Sequence, residues 1–210
     1  MTIVHTPRVI ASVVRGLRNR SQSHQQHVGL TPSNPHKYQS RVGVFDIDYL
    51  GHLNNAAFLS HAEYARWEMT AANGLLQAMY NSDTHFMVTS SSCRYRAQVR
   101  PLFKRFEVHS VVGGMDDKNL WIYQTFRYPN KGDDRVRAQI LVKGVTARKG
   151  KVVDPREFLV QEAGFDPAII ESLSRPCDIA SIEDMITQFE ELEESYRHSA
   201  RLDDEKRSDQ

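Results

Sequence analysis

One helical pattern followed by four alternating patterns is the feature that most limits how this chain can fold. From Asn55 to Ala72, apolar residues recur at helical spacing, and Gly74 follows where a C-terminal cap belongs. Another alternating segment, 38–45, precedes the helix. The four segments with a period of two that come after the helix are 84–96, 104–114, 119–129 and 135–148. This order predicts an α+β domain in which a curved antiparallel sheet of about five strands wraps one long helix.

Two flanking segments differ in composition from the predicted domain, which spans 37–155. Residues 1–36 contain four arginines and no acidic residue. That composition is typical of a mitochondrial transit peptide, and a disordered basic tail is the alternative. Residues 156–210 predict two helices, the second beginning with a capping box at Ser181, and end in an acidic tail. We therefore expect a C-terminal helical extension and a mitochondrial location, with the cytoplasm as the alternative.

Composition also excludes several classes of protein. The net charge is +1, with 27 Lys and Arg against 26 Asp and Glu, and no nucleic-acid-binding motif is present. No apolar run approaches the roughly 18 residues that a transmembrane helix needs. The two cysteines, Cys93 and Cys177, are far apart and lack metal-type spacing, so a disulfide framework is not expected. A reducing compartment fits this cysteine usage best.

The segment "FDIDYLGHLNN", residues 45–55, concentrates turn-forming polar residues immediately before the predicted helix. A calcium loop that began at Asp46 would need an oxygen ligand at its fifth position and a glutamate at its twelfth, but the chain has Leu and Ala there. The two nearby histidines have no third ligand at a plausible spacing, which argues against zinc. We expect no metal and no cofactor.

A carboxylate placed just before a helix N-terminus indicates catalysis instead. The first amides of a helix that begins at Asn54 and Asn55 lack intrahelical acceptors and carry partial positive charge, so they can stabilise an oxyanion. Asp48 could attack the polarised carbonyl carbon or activate water. Gly51 allows close backbone approach, and His52 can hold the turn or the substrate. The residues alone leave open the alternative that these groups only cap the helix.

The segment "FDIDYLGHLNNAAFLSHAEYAR" resembles the D-x-D-x-x-G-H-x-N-N signature of hotdog-fold acyl-CoA thioesterases of the 4-hydroxybenzoyl-CoA thioesterase type. The stretches "SSSCRYRAQVRPLFKRFEVHSVVGGMDDKNLWIYQTF" and "ESYRHSAR" are similar to the thioesterase superfamily member 6 branch, which has a C-terminal extension. The resemblance spans 38–201. It implies a single hotdog domain in a homodimer, or a dimer of dimers, with active sites near the subunit interface.

The resemblance also assigns roles to residues. The catalytic carboxylate of the signature falls on Asp48 and the oxyanion-binding amide on Asn55, with Gly51 and His52 beside them, while Asp46 is expected to hold the turn. The implied reaction is hydrolysis of an acyl-CoA or acyl-carrier thioester. The alternative is a catalytically silent hotdog module that binds an acyl chain or a protein. The predicted substrate-binding residues are Asn54, Ser91, Ser92, Arg94 and Arg96. The two arginines would bind CoA phosphates; the alternative is that they are ordinary exposed charges.

Overall fold

The structure, a computed structural model, describes residues 2–22, 27–129, 132–133, 135–173 and 182–208. In chain order its elements are α1 (Thr2–Gln22), β1 (His36–Arg41), a 3₁₀ turn (Val44–Asp46), α2 (Asn55–Asn73), α3 (Leu75–Asn81), β2 (Thr84–Tyr95), β3 (Arg105–Met115), β4 (Asn119–Arg127), β5 (Ala138–Arg148), β6 (Lys151–Val153), α4 (Pro155–Glu157), a π turn (Phe158–Glu162), α5 (Pro167–Leu173) and α6 (Ile182–Ser208).

The strands form one antiparallel sheet in the order β1-β3-β4-β5-β2, and β6 pairs with the end of β5. Pairing is continuous except for two irregularities, one between Val88 and Ser90 in β2 and one between Val112 and Gly114 in β3. The expected antiparallel sheet of about five strands is confirmed. Strands β1 and β2 occupy its two ends, so β2 is an edge strand.

Helix α2 lies across one face of this sheet. Its buried residues Phe58, Ala62, Ala65 and Met69 pack with aromatic and β-branched side chains of β3, β4 and β5. The helix ends at Asn73, and Gly74 takes the left-handed conformation with φ of 92°. Alanines on the buried stripe let the helix backbone approach the sheet closely. The predicted helix and its glycine cap are confirmed.

Two local expectations differ from the structure. The strand predicted over 38–45 ends at Arg41, because Val44–Asp46 form a 3₁₀ turn. The Asp46 carboxylate accepts the Gly43 amide at 2.9 Å and stabilises that turn. Helix α3 was also not expected; it begins directly after Gly74, since the left-handed glycine redirects the chain rather than ending helical structure.

The N-terminal helix α1 packs along α2. Gly16 faces the α2 backbone so closely that a Cβ atom there would meet the Glu68 carbonyl oxygen and lie 2.7 Å from the Ala71 Cβ. Arg15 forms an ion pair of 3.3 Å with the buried Glu68 carboxylate. Helix α1 is therefore part of the packed domain, while the transit-peptide and location interpretations of residues 1–36 stay predictions.

The two helices of the C-terminal extension pack on different faces of the sheet. Helix α5 packs with α3 and with side chains of β3 and β4 on the face that α2 covers, whereas α6 lies on the opposite face. Helix α5, the first of the two predicted C-terminal helices, begins at Pro167, and the Asp166 carboxylate accepts the Ala168 amide at 2.9 Å. Helix α6 packs Ile182, Ile186 and Phe189 on aromatic and aliphatic side chains of β4 and β5. Residue 181, where the capping box was predicted, lies outside the described residues.

Within the described part of the chain, no helix has both the length and the apolar character needed to cross a membrane.

The close contact at Gly16 predicts the effect of adding a single methyl group. Gly16→Ala would raise helix propensity by about 1 kcal/mol in an exposed helix. Here the new methyl group collides with the α2 backbone, and we expect overpacking to dominate, with a net loss of about 1–3 kcal/mol in the free energy of unfolding. Urea denaturation measures the change. Arg18→Ala, at an exposed site on the same helix, should change it by less than about 0.5 kcal/mol; a stabilised Gly16→Ala variant would contradict the close packing.

Candidate active site

The loop that connects the 3₁₀ turn to α2 closes on itself as a short hairpin. Ile47 and Leu53 form an isolated antiparallel bridge. The Asp48 amide donates to the His52 carbonyl at 2.9 Å, and the Gly51 amide donates to the Asp48 carbonyl at 3.0 Å. Gly51 has φ of 75°, a conformation that a residue with a side chain adopts at a cost. The glycine of the motif is thus required by the turn that carries Asp48.

The Asp48 carboxylate is oriented by this turn. Its Oδ1 atom accepts hydrogen bonds from the amides of Leu50, at 2.9 Å, and His52, at 3.1 Å. Among the described residues, no donor contacts its Oδ2 atom. The side chain is partly buried. One carboxylate oxygen is therefore held by the backbone, and the other remains available to a reactant.

The N-terminus of α2 follows directly. Asn54 is the N-cap, and its side-chain oxygen accepts the Ala57 amide at 2.7 Å. The Phe58 amide donates to the Asn54 carbonyl. The amides of Asn55 and Ala56 are left without intrahelical acceptors, as expected for a first helical turn. Both residues are exposed, so these two amides can receive a developing oxyanion.

Asp46, in contrast, is buried and fully engaged. Its carboxylate accepts hydrogen bonds from Arg8 Nη1 at 2.6 Å, Gly43 N at 2.9 Å and His61 Nε2 at 3.2 Å. Burial by itself raises the pKa of this carboxyl, but the hydrogen bonds from His61 and Arg8 outweigh burial and hold the pKa well below its usual range. The Asp46 carbonyl also accepts the Asn54 amide at 2.8 Å. These contacts support a structural role.

His61 completes the buried polar group beneath the loop. Burial lowers its pKa despite the neighbouring carboxylate, which favours a neutral ring at pH 7. In the matching tautomer, Nε2–H donates to Asp46, and Nδ1 accepts from the Tyr38 hydroxyl at 3.4 Å. No local sequence pattern indicates the contact between Arg8 and Asp46, and in the sequence alone His61 is an isolated histidine on a predicted helix. Among the described residues, no three His, Cys, Asp or Glu side chains are grouped to hold a metal ion.

The predicted substrate-binding residues of β2 fall on both faces of the sheet. Ser91 pairs with Val142 on the face that α2 covers. Ser92 pairs with Leu141, which contacts α6 on the opposite face, and strand alternation places Arg94 on that same face. Arg96 is exposed beyond the end of the strand. Within one protomer, the structure brings Ser91 to the α2 side but not Ser92 or Arg94.

Two cavities follow the groove between α2 and β2. The smaller, 290 Å³, lies between Ala56 and Ser91, and the larger, 710 Å³, extends toward Tyr80. Glu63 and Arg66 line both cavities. Arg66 donates to the Gln124 side chain at 2.7 Å, and burial lowers its pKa to about 10. Neither residue is among the predicted site residues, although both belong to the "EYAR" end of the motif.

The architecture and the site together define a class of protein. A long helix lies across a curled antiparallel sheet, and a carboxylate-bearing turn precedes that helix. This is the hotdog fold, as the sequence resemblance implied. The family model of the Thioesterase-like superfamily matches residues 42–164, which is more than half of the chain. The chain belongs to the Thioesterase-like superfamily.

Curated relatives agree with this assignment. The chain is 33% identical over 91 residues to Protein THEM6 of Xenopus laevis, a match that covers 43% of this chain and 44% of the frog protein. It is 29% identical over 133 residues to Protein THEM6 of Danio rerio, which covers 63% of this chain and 64% of the fish protein. The matches span less than two-thirds of either relative, and they confirm the predicted relationship to that branch.

Solved structures share the fold at low sequence identity. The probable thioesterase YbaW of Escherichia coli is 23% identical, with a TM-score of 0.54 over 60% of this chain and 98% of that one. The 1,4-dihydroxy-2-naphthoyl-CoA thioesterase Slr0204 of Synechocystis is 14% identical, with a TM-score of 0.53 over 68% and 99%. The hypothetical protein SAV2348 of Staphylococcus aureus, solved in complex with CoA, is 14% identical, with a TM-score of 0.55 over 70% and 88%.

The contact between Arg8 and Asp46 predicts how the N-terminal helix stabilises the loop. Arg8→Gln removes a charged donor from a buried carboxylate, and we expect a loss of about 1.5–3 kcal/mol in the free energy of unfolding. The Asp46 pKa is lowered by folding, so its contribution is present above about pH 4 and lost as the pH falls further.

Urea denaturation of wild type and Arg8→Gln should therefore show a constant difference between pH 5 and 8 that shrinks below about pH 4. Arg18→Gln removes an exposed arginine of the same helix and should change stability by less than about 0.5 kcal/mol at any of these pH values. Equal effects of the two substitutions would rule out the proposed stabilisation.

Proposed function

We propose that this protein hydrolyses an acyl-CoA thioester, with Asp48 as the catalytic carboxylate and the first amides of α2 as the oxyanion site. One observation carries the proposal: the turn that fixes Asp48 Oδ1 leaves Oδ2 available and runs directly into a helix N-terminus with two open amides. Family membership supports thioester hydrolysis in general. The CoA complex and the naphthoyl-CoA thioesterase among the structural neighbours support CoA as the thiol.

The reaction follows from these positions. The thioester carbonyl oxygen accepts hydrogen bonds from the amides of Asn55 and Ala56, which stabilise the negative charge that forms on it. Asp48 Oδ2 either removes a proton from a water that adds to the carbonyl carbon, or adds to that carbon itself. The C–S bond then breaks, and CoA departs as a thiolate that takes up a proton. In the second route, water hydrolyses the resulting anhydride and regenerates Asp48.

Neighbouring residues would act by placing these groups. Gly51 supplies the left-handed turn, and the His52 amide holds Asp48. Asn54 caps the helix whose open amides bind the oxyanion. Ser91 lines the 290 Å³ cavity beside Ala56, where the substrate would enter the groove. CoA would be reached only at the rim of the site, or in an assembly of several copies of this chain, by Ser92, Arg94 and Arg96.

We also propose that the active unit is a homodimer paired through β2. This strand has 12 residues, lies at the edge of the sheet and has no neighbour on its outer side among the described residues. Its exposed apolar residues include Met87 and Val88, each 49% exposed. An unprotected edge of this length is a template for pairing with another strand. A second copy on β2 would also close the groove that contains both cavities.

Asp48→Asn tests the catalytic assignment. The amide keeps the shape of the turn but is neither a base nor a nucleophile, so we expect kcat to fall by at least about 10²-fold. Hydrolysis of short, long and aromatic acyl-CoAs is measured on wild type and variant side by side. Asp117→Asn, at an exposed position outside the loop, is the matched control and should keep full activity. Unchanged turnover in Asp48→Asn would remove Asp48 from the mechanism.

The same assay distinguishes a thioesterase from the catalytically silent alternative. Saturable acyl-CoA binding by wild type, with no free acid formed over hours, would favour a hotdog module that only binds its ligand.

Met87→Lys tests the dimer. The lysine would put a charge at an edge position that the β2–β2 pairing covers, so we expect the dimer Kd to rise at least about tenfold. Sedimentation velocity over a concentration series measures the Kd. Val152→Lys places the same side chain on exposed β6, where Val152 is 52% exposed, and should leave the Kd unchanged. A monomeric wild type would contradict the proposal outright.

A further inference from the structure

Helix α6 crosses the sheet along a single row of paired residues. Gly114, Trp121, Lys143 and Ser90 are directly opposite one another across β3, β4, β5 and β2. The first residue of the helix packs beside β3, where a Cβ on Gly113 would lie 3.6 Å from Ile182 Cγ2. The helix therefore starts above one end of this row.

The same helix reaches the edge strand at Glu193. Its carboxylate accepts a hydrogen bond from Lys143 Nζ at 2.8 Å and interacts with the Ser90 side chain. From Ile182 to Glu193 a helix rises about 16 Å. The three strand spacings between β3 and β2 amount to about 14 Å. These lengths agree, so α6 runs nearly perpendicular to the strands and heads outward over β2.

The helix does not stop at the edge. It continues to Ser208, which carries it about 22 Å beyond Glu193. The stripe of Ile182, Met185, Ile186 and Phe189 that faces the sheet continues at helical spacing through Leu192 and Tyr196. Leu192 is 48% exposed and Tyr196 is 67% exposed. The apolar stripe thus extends past the last strand that it could cover within its own protomer.

We propose that the part of α6 from Leu192 onward reaches across the seam of the β2-paired dimer and packs antiparallel against the same helix of the second copy. This inference rests on the dimer of the proposed function. A two-fold axis at that seam lies half a strand spacing, about 2.4 Å, outside β2. Along α6 this distance is about one to two residues past Glu193, which places Ser195 beside the axis.

The distance between two packed helices also limits where the centre of the β2–β2 pairing can lie. Helices in contact lie about 8–10 Å apart, so the centre of the β2–β2 pairing must be displaced from Ser90 by about one to two residues along the strand. Leu192, Ser195 and Ser199 follow one another at spacings of three and four, and they form one flank of the helix. Small serines beside one exposed leucine permit close approach on this flank, while Arg197 lies on the other.

A cysteine pair tests this packing directly. Ser195→Cys is placed in a background in which Cys93 and Cys177 are changed to Ser, and the full chain is oxidised in solution. Two cysteines beside the axis of a close helix pair satisfy the short Cα separation that a disulfide needs. We expect a covalent dimer on a non-reducing gel from Ser195→Cys and none from Arg197→Cys. Crosslinking of Arg197→Cys instead of Ser195→Cys would overturn the proposed contact flank.

A second measurement separates this inference from the function on which it rests. Leu192→Glu should raise the dimer Kd at least about tenfold, whereas Thr187→Glu, on the exposed side of the same helix, should leave it unchanged. Sedimentation and acyl-CoA hydrolysis are followed on every variant. An active wild-type dimer that neither crosslinks through Ser195→Cys nor responds to Leu192→Glu would refute the helix contact alone. A monomeric wild type would refute both the contact and the dimer.

Discussion

The buried carboxylate of Asp46 is the contact on which the geometry of the loop depends. Burying a charge is costly unless donors surround it, and Asp46 has three, from a backbone amide, Arg8 and His61. Each donor comes from a different part of the fold: the turn itself, α1 and α2. Because the Asp46 carbonyl also accepts the Asn54 amide, the same residue fixes where α2 begins. The position of the proposed oxyanion site follows from this arrangement.

Two aspartates separated by one residue have different environments, and these environments support the different roles proposed for them. Asp46 is surrounded by donors beneath the loop, so it has no free oxygen with which to react. Asp48 is partly exposed and uses one oxygen for the backbone of its own turn. Asp46 stabilises the loop, and the loop presents Asp48, the proposed catalytic carboxylate. A pair of carboxylates with distinct tasks is a common arrangement in enzymes, and here burial and hydrogen bonding produce it.

Periodicity alone predicted α2, its glycine cap and the strands β2 to β5. Helix α2 and strands β3 to β5 bury one face along most of their length, whereas β2 alternates in sequence although most of it is exposed. It failed at Val44, where a contact between Gly43 and Asp46 turns a strand-like sequence into a 3₁₀ turn. It also missed α1 packing, since the ion pair of Arg8 joins residues 38 positions apart and leaves no local pattern. Ser91 and Ser92 were both predicted to bind substrate, although neighbouring residues of a strand point to opposite faces.

The ion pair of Arg8 and Asp46 also makes the amino terminus chemically relevant to a loop far from it in sequence. A protease that trimmed α1 would leave the Asp46 carboxylate in an apolar setting without its guanidinium, and the pKa of that carboxyl would rise. A bulky tag fused to the first helix would disturb the same ion pair. Preparations that differ only at the N-terminus would then differ in the order of the loop that carries Asp48. A sample without the proposed activity would therefore have to be checked first for an intact first helix.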